Sequence, residues 1–116
     1  MAGTTYSNLG DPALIRELND LSRQLAEEIE NLQQAGIDAS EAERQYQLAV
    51  KQNCLWLKEQ GMAVSLIDKV VKGYCADSLF KRDVGKVMYD TAQERINVLK
   101  TRIRVLEGQI NREWRG

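Results

Sequence analysis

Residues 94–110 read ERINVLKTRIRVLEGQI, with isoleucine or leucine at 96, 99, 103, 106 and 110. Steps of three and four trace one narrow face of an α-helix, because a turn closes every 3.6 residues. So narrow an apolar face is a seam that a second helix has to cover. The only proline of the chain is Pro12, so no later residue forces a helix to stop. The stretch therefore sets the fold class: all-α, with a long helix at the C-terminal end.

Working back from the seam, the apolar pattern is helical almost everywhere. Asp11-Pro12 has the form of a helix start, with aspartate as N-cap and proline at the first helical position. Leu14, Leu18, Leu21, Leu25, Ile29 and Leu32 follow at helical spacing, and Gly36 offers a stop. The spacing predicts a first helix over 12–35. Asp38/Glu41 and Ser40/Glu43 then have the form of capping boxes. A second helix is expected over 39–60, carrying Ala42, Tyr46, Ala49, Val50, Trp56 and Leu57 and ending at Gly61. A 36–38 turn that short implies an antiparallel hairpin. From Met62 to Trp114 the helical signal hardly pauses. Gly73 and Gly85 each weaken a helix by about 1 kcal/mol relative to alanine and are the candidate kinks. The expected architecture is a helical hairpin packed on a long third helix, forming one domain over 11–116. Residues 1–10, small and patternless, are expected to be disordered or loosely docked.

Composition agrees with one small domain. Hydrophobic residues make up 43% of the chain but aromatics only 6%, so the core must be built from Leu, Ile, Val and Ala. No run of about 18 uncharged apolar residues occurs, so no membrane span is expected. The opening MAGTTYSNLGDP lacks the basic and apolar regions of a secretory signal, which points to the cytoplasm. Cys54 and Cys75 match no zinc or redox spacing and read as packed thiols. Histidine is absent, which removes the commonest general base and the commonest metal ligand. Neither an enzyme nor a cofactor- or metal-binding protein is expected.

The small net charge of −1 conceals an asymmetry. Over 1–60 ten acids face five basic residues, whereas over 61–116 seven acids face eleven. With Ile96, Ile103 and Ile110 at heptad position a and Leu99 and Leu106 at d, the seam has the residue types of a parallel two-stranded coiled coil. Its flanks oppose self-pairing, because Lys72, Lys86 and Lys100 fall at e and Lys81, Arg95 and Arg102 at g. The leucine stripe of the first helix is bordered instead by Glu17, Glu27 and Glu28. The expected partner of the seam is thus the acidic N-terminal half of the same chain. Self-association is expected through another face, most simply as a homodimer.

Few residues could carry chemistry. Glu27, Glu28 and Glu30, and Glu41 with Glu43, lie among other charges and read as solvated acidic faces. Lys69, Lys72, Lys81, Arg82 and Lys86 interleave with Tyr74 and Phe80, the ingredients of a nucleic-acid surface. The plainer alternative makes Tyr74 a core residue and the lysines ordinary solvated flanks. Trp56 fills core or anchors an interface, since tryptophan is enriched at binding hot spots. Trp114, with Leu106 and Ile110 before it, is the candidate contact for a second chain.

The segment AERQYQLAVKQNCLWLKEQGMAVSLIDKV (42–70) and the closing TRIRVLEGQINREW (101–114) resemble small helical-hairpin proteins encoded by bacteriophages and prophages. The shared pattern is a tyrosine-bearing helix, a Lys-x-x-Gly turn, here Lys58 to Gly61, and a long helix closing on an Arg/Leu/Glu-rich stripe. The resemblance spans about residues 42–114 and implies a phage-type origin. By context such proteins are accessory factors of phage DNA metabolism or inhibitors of host defence. A compact helical body without a catalytic set, and with an uncovered face, leads to the expectation of a non-enzymatic factor that binds a host protein, such as an anti-CRISPR-like inhibitor of a bacterial defence system. The alternatives are a DNA-associated accessory protein of phage replication or recombination, and a structural oligomerisation module.

Overall fold

The computed structural model describes residues 11–115. The expectation for residues 1–10 lies outside the described residues. Three helices follow in order, with no strand among the described residues: α1 (Pro12–Glu59), α2 (Val64–Tyr74) and α3 (Ala76–Arg115). The fold is all-α, and a long third helix packs on the others.

The start of α1 is as the sequence implies. The Asp11 carboxylate accepts a hydrogen bond from the Ala13 N–H at 2.8 Å, satisfying one of the donors that a helix N-terminus leaves open. The expected 36–38 turn does not form, and α1 runs unbroken through it. Gly36 keeps a negative φ. A Cβ added there would meet the Tyr89 ring at 3.4 Å, so this glycine marks a close approach by α3 and not a helix stop. The capping-type residues make lateral pairs along the helix instead. The Gln34 amide donates to Asp38 at 2.9 Å, and Arg44 donates to Glu41 at 2.7 Å. One helical glycine costs about 1 kcal/mol, too little to interrupt a helix packed on both sides of it.

The hairpin turn lies at the next glycine. Gly61 has φ 85°, the sole positive φ among the described residues. Its N–H donates to the Lys58 carbonyl at 3.0 Å and the Met62 N–H to the Leu57 carbonyl at 3.1 Å. That is a Schellman closure, and its usual apolar contact is present because Met62 packs on the cluster containing Leu57. Of the two candidate kinks, neither glycine is the break itself. The interruption is Cys75, two residues after Gly73, at φ −103° and ψ 16°. Helical hydrogen bonds continue across it, from the Cys75 N–H to Val71 at 3.0 Å and from the Leu79 N–H to Cys75 at 2.9 Å. Gly85 is an interior residue of α3.

Two compact units share these helices: Gln33–Thr91, and Met1–Leu32 with Ala92–Gly116. Within Gln33–Thr91, α1 packs against α2 and the first part of α3. The buried residues are Leu57, Ile67, Val71 and Cys75, lined by Tyr46, Ala49, Val50, Cys54, Met62 and Val70. The Asn53 amide donates to the Ala49 carbonyl and to the Cys75 sulfur, which gives the buried thiol a polar neighbour at the α2–α3 break. In the other unit the seam is covered. Leu21, Leu99 and Leu106 are buried together, with Leu14, Leu18, Leu25, Ile103 and Ile110 against them. The 96–110 seam is covered by the leucine stripe of α1, in the same chain. The Asp11 N–H reaching Glu113 at 3.3 Å fixes the two segments as antiparallel.

Candidate functional site

Among the described residues nine hydrophobic side chains are buried, whereas fifteen large ones are exposed. Exposed apolar side chains mark a docking site where they stand together and not where they are scattered singly. In the Gln33–Thr91 unit two of these groups, Trp56 and Tyr74, pack on each other. Their ring centroids lie 5.8 Å apart in an edge-on arrangement, with 47% and 56% of the two residues exposed. Helix geometry explains why. Leu57, beside Trp56, points into the core at 2% exposure, and a step of one residue turns a side chain by about 100°, which brings Trp56 to the flank. Tyr74 ends α2 just before Cys75, where the helix stops covering it. Such a pair is a preformed apolar surface with polar tips, the type of group that anchors interfaces.

The other candidate interface residues separate. Trp114 is exposed, at 58%. Leu106 is buried at 4% and Ile110 packs beside it, so both belong to the seam on α1 and do not offer a face to a second chain. Sequence reasoning grouped them with Trp114 because all three lie near the chain end. Helical phase separates them.

The five basic residues do not act alike. Lys69, Lys72, Lys81 and Lys86 are exposed. Arg82 is not free to meet a phosphate. Its guanidinium lies over the Tyr46 ring at 4.6 Å, approaches Glu43 at 3.6 Å and Asp83 at 3.2 Å, and its side chain is 23% exposed. Lys81 lines a groove with Asp38 and Glu41, whose charge opposes binding of a polyanion there. Sequence reading missed the Arg82–Tyr46 stacking, which needs the antiparallel register of α1 and α3 to be known.

The expected charge pairing of the seam does not form among the described residues. Among the described residues the one ion pair between helices is Arg82–Glu43. None joins Glu17, Glu27 or Glu28 to α3 within 4.0 Å. Apolar packing, not ion pairing, holds the N-terminal stripe to the seam.

A broad open groove is lined by Gly36, Ile37, Ala39, Glu41, Arg44 and Tyr89. Hydrogen bonds from Arg44 and then Gln45 hold the Glu41 carboxyl at about 2, so it is ionised near neutral pH and holds no proton to give. The same pair raises the Arg44 guanidinium above its ordinary value. Among the described residues no group of three His, Cys, Asp or Glu side chains converges as a metal centre would require. Cys54 and Cys75 are free thiols, half-buried and buried. No described helix is long and apolar enough to cross a membrane.

Compared with protein-family models, with curated proteins and with solved structures, the chain matches none.

Proposed function

We propose that this protein acts by binding another protein and performs no catalysis. The exposed Trp56–Tyr74 pair carries the reading. Two large rings held edge to face on a helix pair lose little conformational freedom on binding, and such losses make up much of the cost of association. The likeness to phage-encoded helical hairpins makes a bacterial host protein the partner, with an anti-CRISPR-like inhibitor of a defence nuclease as the specific form. The site of action is then the host cytoplasm.

The test is binding of the purified protein to purified bacterial RNA-guided nuclease complexes, compared with Trp56→Ala. The expected result is an affinity that falls by about tenfold or more in the variant, the loss typical of an aromatic hot spot. It should also hold between about 50 and 200 mM salt, because an apolar contact releases no counterions. No affinity for any such complex removes the inhibitor reading. Steep salt dependence, with Trp56→Ala unchanged, replaces it with the DNA-associated alternative.

A further inference from the structure

We infer that the outward side of α3 in the unit of Met1–Leu32 with Ala92–Gly116 docks an acidic amphipathic helix of a partner protein. The inference rests on the protein-binding reading and adds a second surface to it. Val98 and Val105 are 54% and 61% exposed although they lie within the same turns as the buried Leu99 and Leu106. Two heptad-spaced valines stand on one side of a helix, and Arg102 borders both, four residues after the first and three before the second. Arg95 lies three residues before Val98, and Arg104, one residue before Val105, is exposed about 100° further round the helix. None of these three arginines has an acid within 4.0 Å among the described residues. Beside them runs a groove between α1 and α3 walled by Leu21, Thr101, Arg102, Val105 and Leu106, with Glu17 across it. Glu94 closes the apolar line at its N-terminal end.

The charge left over identifies the occupant. An apolar line bordered by unpaired guanidinium groups is complementary to a helix with leucine-type residues flanked by carboxylates, which can meet each arginine with two parallel hydrogen bonds. Nucleic acid fits less well, because phosphates gain nothing from exposed valines and residues 94–113 hold no aromatic ring for base stacking. An anionic membrane would need a broader apolar face than two valines supply.

The probe is a labelled synthetic helical peptide with leucines at a and d and glutamates at e and g, titrated with the full chain by fluorescence anisotropy. The expected result is saturable binding at about 150 mM salt. Arg102→Glu should weaken it by about tenfold, as should Val98→Ser with Val105→Ser at unchanged net charge. A peptide with lysines in place of the glutamates should regain affinity for Arg102→Glu. All three positions are exposed, and unchanged circular dichroism would confirm that the variants remain folded. Absence of binding overturns the inference. So does binding insensitive to the valine substitutions, with single-stranded DNA or phosphatidylserine vesicles held as tightly. A dimer by light scattering that Arg102→Glu dissociates would assign the face to a second copy and overturn it too. The variants leave Trp56 and Tyr74 untouched, so failure here leaves the reading of that pair standing, and failure of the Trp56 test leaves this one to be decided separately.

Discussion

A Cβ built on Gly85 would stand 3.2 Å from the Ala39 Cα, so α1 and α3 meet there almost backbone to backbone. The added atom would press on main chain, which cannot rotate away as a side chain can. Gly73, by contrast, has open space around it. Both glycines are helical, and alanine would favour each helix by about 1 kcal/mol. Gly73→Ala should therefore raise the stability by up to about 1 kcal/mol in urea unfolding followed by circular dichroism. Gly85→Ala should gain nothing, and Gly85→Val should lose about 1–3 kcal/mol through overpacking. Equal gains at both positions would mean that the two helices are not this close in solution.

The same pair shows why part of the fold was legible and part was not. A glycine in a sequence does not say whether a side chain would be unwelcome there, because the reason, where there is one, is tertiary. Gly61 is a helix stop, Gly85 makes room for Ala39, and a Cβ at Gly36 would only touch the Tyr89 ring at 3.4 Å. Local pattern alone treats Gly36 and Gly61 alike, which is how a turn was expected at 36–38. The 96–110 seam was readable because its period is a property of one helix and its acidic-bordered counterpart lies on another. Trp56 was readable only as a choice between core and interface. One residue of helical phase relative to Leu57 decides that choice, and no composition argument supplies it.

Among the described glycines Gly61 should be the most sensitive to alanine. Its φ of 85° costs a β-carbon-bearing residue about 1 kcal/mol, and the two closing hydrogen bonds depend on that angle. Gly61→Ala is expected to destabilise by about 1 kcal/mol or more, and Gly61→Asn, which tolerates the left-handed region, by less. Thermal unfolding of the two variants is the check. Equal melting temperatures for wild type and Gly61→Ala would mean that the chain reverses direction elsewhere.

Glu41 gives the protein a pH response confined to acid. Its folded pKa of about 2 lies below the ordinary 4.5, so its interaction with Arg44 and Gln45 stabilises the helix fully above about pH 4.5. That contribution is lost as pH falls from there through 2, because the unfolded chain takes up the proton first. Both side chains are more than half exposed, so the effect is small and screened by salt. Carboxyl titration followed by NMR should show the Glu41 midpoint well below the ordinary glutamate value of 4.5, and Arg44→Ala should return it upward. A Glu41 midpoint near 4.5 in the wild type would remove the pairing.

Leu106 and Trp114 stand on the same helix two turns apart and should respond oppositely to truncation. Leu106, 4% exposed against Leu21 and Leu99, leaves a cavity when shortened, and Leu106→Ala should cost about 2–5 kcal/mol. Trp114 is 58% exposed, and Trp114→Ala should change the stability of the monomer by less than about 0.5 kcal/mol. If the C-terminal tryptophan joins two copies, light scattering will give a dimer mass for the wild type at low and high salt and a monomer mass for Trp114→Ala. A monomer mass for the wild type would exclude that contact, and the exposed tryptophan would then be available to a different protein. Melting curves taken at several protein concentrations separate the cases independently, because only a dimer gains stability with concentration.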